Sequence, residues 1–218
     1  MQPRIIFFDA HGGIIDDTDI ALCAIRDVFS YFHREPPSVA EYLLALELDG
    51  WDMTPQFVRR GIASPAEEIY DLMSRAYVLR LRNAGIILSP GVRKILETEQ
   101  TKKVLMVLVS RYPEGVIAPF ILDAGIASFF GFEIFGEDDP KRPIDWVLKI
   151  ENMHTTPPIL PNECVFISPN PFALFRAKRA GVRTIALIRK PIPPYFPRLA
   201  QPDNEVDDPL KILELIAE

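Results

Sequence analysis

The sequence predicts an α/β fold: a doubly wound parallel sheet with an all-helical block inserted after its first strand. Three observations lead there. Short apolar runs rich in Ile, Val and Phe recur at residues 5–8, 104–109, 132–135, 164–167 and 184–188, as in strands buried on both faces. From residue 89 onward these runs alternate with stretches of helical periodicity, which calls for crossover connections and hence parallel strands. Between residues 17 and 85 nothing reads as a strand, and the apolar residues recur at helical spacing.

In chain order, Arg4-Ile5-Ile6-Phe7-Phe8 runs straight into Asp9, and Gly12-Gly13 closes the run with a turn. Open α/β sheets place their chemistry at the carboxyl ends of the strands. A carboxylate on a glycine turn there is a candidate nucleophile; the alternative is an Asp that only caps the turn. Asp17-Thr18-Asp19 offers a helix N-cap, followed by Ile20, Ala21, Ala24, Ile25, Val28, Phe29 and Phe32 on one helical face. Pro36-Pro37 ends that helix and Ser38 caps another over residues 39–48. Thr54-Pro55 and Ser64-Pro65 are further start signals, the second opening a long amphipathic helix over 66–83 that Gly85 closes.

The alternating pattern resumes at Ser89-Pro90-Gly91 with a helix to residue 99, then a strand ending on Ser110. A helix over 115–124 with Gly125 as its C-cap, a strand at 132–135 and a helix over 144–152 follow. The strand at 164–167 ends on Ser168, a helix spans 173–180 before Gly181, and a fifth strand covers 184–188. Residues 190–209 hold six prolines and are expected to be a loop, after which Asp208-Pro209 starts a last helix over 210–217. The division predicted is a core of residues 1–15 and 88–218 and a helical cap of 16–87.

Bulk properties exclude several classes. With 48% hydrophobic and 25% charged residues the chain is not a disordered one. Its net charge of −6 gives no electrostatic case for nucleic acid or an anionic membrane. The most apolar run is too short to span a bilayer, and the N-terminus enters a strand with no secretory signal, so a cytoplasmic location is expected. Cys23 and Cys164, far apart in sequence, read as reduced thiols.

Three buried strands finish on Asp9, Ser110 and Ser168, and right-handed crossovers would line these up at one edge of the sheet. Either each is a cap or turn residue, or together they form a site. The stretches resemble motifs of the haloacid dehalogenase (HAD) superfamily. Asp9-Ala10-His11-Gly12-Gly13-Ile14 is similar to its first motif, Asp-x-Asp-Gly-Thr-Leu, with His11 where phosphatases carry a second Asp and Gly13 where they carry Thr. Val107-Leu108-Val109-Ser110 looks like the second motif, Ile121 to Phe130 like the family's Leu-x-x-x-Gly-Leu-x-x-x-Phe segment, and Pro140-Lys141-Arg142-Pro143 keeps the lysine of the third. Ser168-Pro169-Asn170-Pro171-Phe172-Ala173 is similar to the dehalogenases' Ser-x-Asn-x-x-Asp, with Ala173 in place of the Asp. Phosphatases would carry acids where Pro169 and Ala173 stand.

The resemblance implies a HAD-like core with an inserted helical cap, Asp9 as nucleophile, Lys141 holding it ionised, and Ser110 beside them. His11 would activate water, an imidazole being suited to proton transfer near neutrality; the alternative is a partly buried polar residue bonded to Asp9, or a tolerated substitution. Gly12, Arg111, Ser168 and Asn170 would bind substrate, with Arg59 or Arg60 of the cap as further candidates for a substrate carboxylate. With no carboxylate at Pro169 or Ala173, no cofactor is expected: Mg²⁺ wants hard oxygen ligands, and only Glu137, Asp138 and Asp139 could replace those lost. The expected activity is hydrolysis of a small anionic substrate, by dehalogenase-like chemistry in preference to phosphatase chemistry. The alternative is a degenerate HAD-fold protein that binds a protein partner as a scaffold subunit.

Overall fold

The computed structural model describes residues 2–41, 54–85, 87–102, 104–110, 112, 114–136, 158–188 and 195–217. Arg111, Lys141, the acidic run 137–139, the helix expected at 144–152 and all but the first turn of that expected at 39–48 lie outside them. In chain order the described elements are β1 (Ile5–Asp9), α1 (Thr18–Tyr31), α2 (Thr54–Arg59), α3 (Ala66–Ala84), α4 (Val92–Thr101), β2 (Leu105–Ser110), α5 (Glu114–Asp123), β3 (Phe132–Phe135), β4 (Cys164–Ser168), α6 (Pro171–Arg179), β5 (Arg183–Leu187), α7 (Tyr195–Arg198), β6 (Asn204–Val206) and α8 (Ile212–Leu215). Backbone contacts group them into one unit of Met1–Asp16 and Ile87–Glu218 and another of Asp17–Ile86.

The larger unit is built on a six-stranded sheet in the order β3-β2-β1-β4-β5-β6. All its pairings are parallel. Parallel strands must be covered on both faces, and every residue of β1 and β4 is buried. One face, with Ile5, Phe7, Val107, Val109, Cys164 and Phe166, packs on Leu174 and Ala177 of α6. Full burial of a side chain such as Phe7 stabilises by about 1.5–3 kcal/mol. Chain order reverses at β1, which lies between β2 and β4 and so marks the crevice where such sheets bind ligands. Register sets the strand ends level: Asp9 is opposite Val109, one residue before Ser110, and Phe8 is opposite Ile167, one residue before Ser168.

Two expectations are corrected in this unit. The proline-rich stretch before residue 209 holds a short helix, α7, and a sixth strand, β6, paired with β5 from Ile185↔Asn204 to Leu187↔Val206. Asn-Glu-Val has no apolar run to announce it. Backbone pairing and the Thr184–Asp203 hydrogen bonds hold it, the Thr184 N–H and hydroxyl both donating to Asp203 Oδ2 at 2.8 Å. The last helix opens as a 3₁₀ turn, Pro209–Lys211, with Asp208 Oδ1 accepting from the Leu210 N–H at 2.9 Å.

In the smaller unit the described elements are all helical. Phe29 of α1 stacks on Phe57 of α2, ring centroids 4.5 Å apart and planes 8° from parallel. Arg80 of α3 chelates Asp27 of α1 with contacts of 2.5 and 2.6 Å. Asp17 stands at the N-cap of α1 but makes no side-chain cap. Its carboxylate turns aside, and Oδ2 accepts the Tyr77 hydroxyl at 2.6 Å, both residues being buried.

Candidate active site

As β1 ends, the chain turns back on itself: Ile14 N–H donates to Asp9 O at 3.0 Å, Ile15 N–H to Ala10 O at 2.8 Å, and Gly12 N–H to Ile15 O at 2.9 Å. Two glycines permit this. Gly12 has φ +66°, and a Cβ there would lie 2.8 Å from Cγ of Pro169. A Cβ on Gly13 would lie 2.2 Å from the Asp9 carbonyl oxygen, a distance no side chain survives. The N–H of Gly12, a residue expected to bind substrate, is given to Ile15, and Gly12 shapes the turn.

The Asp9 carboxylate accepts from both sides. Oδ1 accepts the His11 N–H at 3.0 Å, an Asx-type turn, and Oδ2 accepts the Ser168 hydroxyl at 2.5 Å. Ser168 Oγ in turn accepts the Asn170 N–H at 2.9 Å. Asn170 Oδ1 takes the N–H groups of Phe172 and Ala173 at 2.9 and 3.1 Å, so this side chain is the N-cap of α6, which begins two residues earlier than its periodicity suggests. Only the Asn170 amide NH₂ remains to donate to a ligand.

His11 divides its contacts. Its backbone meets Asp9, while its ring reaches across to β2, with Nε2 3.0 Å from Ser110 Oγ. The tautomer decides which of the two donates. Ser110 Oγ also accepts the Tyr112 N–H at 3.1 Å, and the Tyr112 ring packs against the imidazole with centroids 4.9 Å apart and planes at 71°. One hydrogen-bonded line therefore runs from Asn170 through Ser168, Asp9 and His11 to Ser110, across the ends of β4, β1 and β2. Asp9 is 9% exposed, His11 8%, and the two serines are fully buried. Such enclosure strengthens each electrostatic contact.

The structure thus brings together Asp9, His11, Gly12, Ser110, Ser168 and Asn170. Lys141 and Arg111 fall outside the described residues. Of the cap arginines, Arg60 holds Glu41 Oε1 at 3.1 Å. Cys164, at the opposite end of β4 from Ser168, is a free thiol that burial pushes up to about 12, with Glu163 adding to the shift. It is protonated and plays no part in this site.

A family model described as haloacid dehalogenase-like hydrolase matches residues 6–187, which includes β1 with Asp9 and the strand ends at Ser110 and Ser168. This chain belongs to the haloacid dehalogenase-like hydrolase family. A phosphoglycolate phosphatase of Pseudomonas fluorescens is 25% identical, the match covering 85% of this chain and 69% of that one. Two solved structures share the fold. A predicted phosphoglycolate phosphatase from Haemophilus somnus superposes with a TM-score of 0.74 at 17% identity, covering 99% of this chain and 98% of that one. CbbY from Rhodobacter sphaeroides, in complex with xylulose-1,5-bisphosphate, gives 0.74 at 16% identity over 94% of each chain.

For this HAD-family chain two expectations are overturned by those relatives. They favour phosphatase over dehalogenase chemistry. They also contradict a site without a cofactor, since HAD phosphatases generally use Mg²⁺. Among the described residues no group of three or more His, Cys, Asp and Glu converges. The donors beside Asp9 nevertheless include hard oxygens, its own carboxylate and the Ser168 hydroxyl, with the His11 imidazole between Asp9 and Ser110. One carboxylate with water and substrate phosphate is enough for a Mg²⁺ that keeps most of its hydration. Counting only acids missed this. Sequence reading also missed Tyr112, whose ring lies against His11; an aromatic two residues past a strand-end serine was the one available signal.

Proposed function

We propose that this chain hydrolyses a small, anionic phosphomonoester of the size of phosphoglycolate, with Asp9 as nucleophile. The observation that carries the reading is the placement of Asp9 at the switch point of the sheet, its carboxylate held by the His11 N–H and the Ser168 hydroxyl. The phosphatase relatives support it. A carboxylate oxygen of Asp9 attacks phosphorus, and the bond from phosphorus to the alcohol oxygen breaks. His11 gives a proton to the departing oxygen, then takes one from the water that attacks the aspartyl phosphate. Phosphate leaves and the Asp9 carboxylate is restored. Ser110, at the far side of the imidazole, donates to a phosphate oxygen, as does the Asn170 amide. Lys141 is the cation that the family resemblance gives the part of holding Asp9 ionised, and Arg111 is a candidate for a substrate carboxylate. Asp9 would hold Mg²⁺, which supplies neutralisation of charge between the carboxylate and the phosphate dianion.

The test is phosphate release from phosphoglycolate and a panel of small phosphate esters in Mg²⁺, beside Asp9→Asn. Turnover in the parent and none in the variant is expected. No release from any ester would overturn the reading and leave the scaffold alternative standing.

A further inference from the structure

We infer that Tyr112 is a positioning residue whose ring holds the His11 imidazole toward the Ser110 hydroxyl, a role that rests on the proton-transfer part proposed for His11. Tyr112 is fixed by its backbone before its side chain is considered. Its N–H donates to Ser110 Oγ at 3.1 Å, and its carbonyl accepts the Gly136 N–H at 3.1 Å, so it is tied to residues that end or follow β2 and β3. From that anchor the ring meets the His11 ring at 4.9 Å and 71°, the T-shaped arrangement that aromatic quadrupoles favour.

His11 needs such a neighbour. Its backbone is fixed by the N–H bond to Asp9 Oδ1 at 3.0 Å and by the turn that follows, which leaves freedom only in the side-chain torsions. The bond between Nε2 and Ser110 Oγ at 3.0 Å is weakened once a phosphate competes for the same hydroxyl, and a ring packed against the imidazole is not. The Tyr112 ring packs edge to face against the imidazole and so limits its rotation on that side. Tyr112 thus acts on both partners of one bond: through its backbone on Ser110, and through its ring on His11. Because it is only half-buried, replacing it opens no core cavity.

The experiment compares Tyr112→Phe, Tyr112→Leu and Tyr112→Ala in the full chain, since all three keep the backbone N–H. Hydrolysis of phosphoglycolate in Mg²⁺ is measured together with thermal midpoints and the proton resonances of the His11 imidazole, assigned with His11→Gln. Tyr112→Phe should keep kcat within about twofold. Tyr112→Leu and Tyr112→Ala should lower kcat about tenfold, a fraction of the 10²–10⁴ that positioned proton transfer contributes, with KM unchanged. The His11 resonances should move in Leu and Ala and stay in Phe. Loss that falls on KM or follows the thermal midpoint, or unmoved His11 resonances in Ala, would overturn the inference. Should the parent release no phosphate, the functional reading fails, and the resonances alone decide whether Tyr112 orients His11.

Discussion

Asp9 illustrates how one residue answers two descriptions. Its Oδ1 closes a turn by accepting the His11 N–H, as a capping Asp would, yet the same bond and the Ser168 hydroxyl fix the carboxylate at the end of β1. Ser168→Ala removes one of those donors. A hydrogen bond to a charged group contributes about 1.5–3 kcal/mol, so the variant should lose stability of that order and much of its kcat; an unchanged thermal midpoint would show that Ser168 does not hold Asp9. His11→Ala tests the proton-transfer role more directly. Asp9 can still attack, more slowly because the departing oxygen must take its proton from water, so prolonged incubation with phosphoglycolate should leave a phosphoryl adduct on the chain, seen as added mass on the intact protein. A His11→Ala variant that turns over like the parent rules His11 out.

At the scale of elements, the turn after β1 leaves no room for a side chain at Gly13, where the nearest atom would be backbone at 2.2 Å. Gly13→Ala should cost at least the 1–3 kcal/mol or so typical of overpacking, read as a lowered thermal midpoint. Strand β6 makes a different prediction. Burial opposes ionisation of Asp203, but the hydrogen bonds from the Thr184 N–H and hydroxyl and the contact with Lys178 win, holding its carboxyl below the usual 3.8. A carboxyl depressed in the folded state contributes stability above its unfolded pKa and loses it as pH falls through the folded one. Asp203→Asn should therefore lower the thermal midpoint at neutral pH, and the gap from the parent should close as pH drops below 3.8. A gap that is constant with pH would show that Asp203 acts by its shape and not by its charge.

For the whole molecule, the deciding measurement is metal dependence. Phosphate release by the purified chain should vanish with a chelator and return with Mg²⁺; full activity in excess chelator would contradict the family's usual chemistry in this member. Reducing agent, by contrast, should leave the thermal midpoint where it is, since Cys23 and Cys164 are both free thiols. Among the described residues, no helix is long and apolar enough to cross a membrane.

The sequence alone determined the α/β class and the positions of five parallel strands, because residues buried on both faces of a sheet leave unbroken apolar runs. It also marked Asp9, Ser110 and Ser168 as strand ends, since a polar residue closing such a run is legible whatever lies beside it. Only the tertiary structure decided what those residues touch. Asn170 became a helix cap and Gly12 lost its N–H to Ile15 because local backbone bonding claims its donors and acceptors first. The sixth strand could not be read from Asn-Glu-Val, since it buries only Val206 and is held mainly by the ladder of its neighbour. The His11 ring reaches Ser110 and Tyr112, about a hundred residues away in the chain, for the same reason: parallel register, a property of two strands together, sets which strand ends meet.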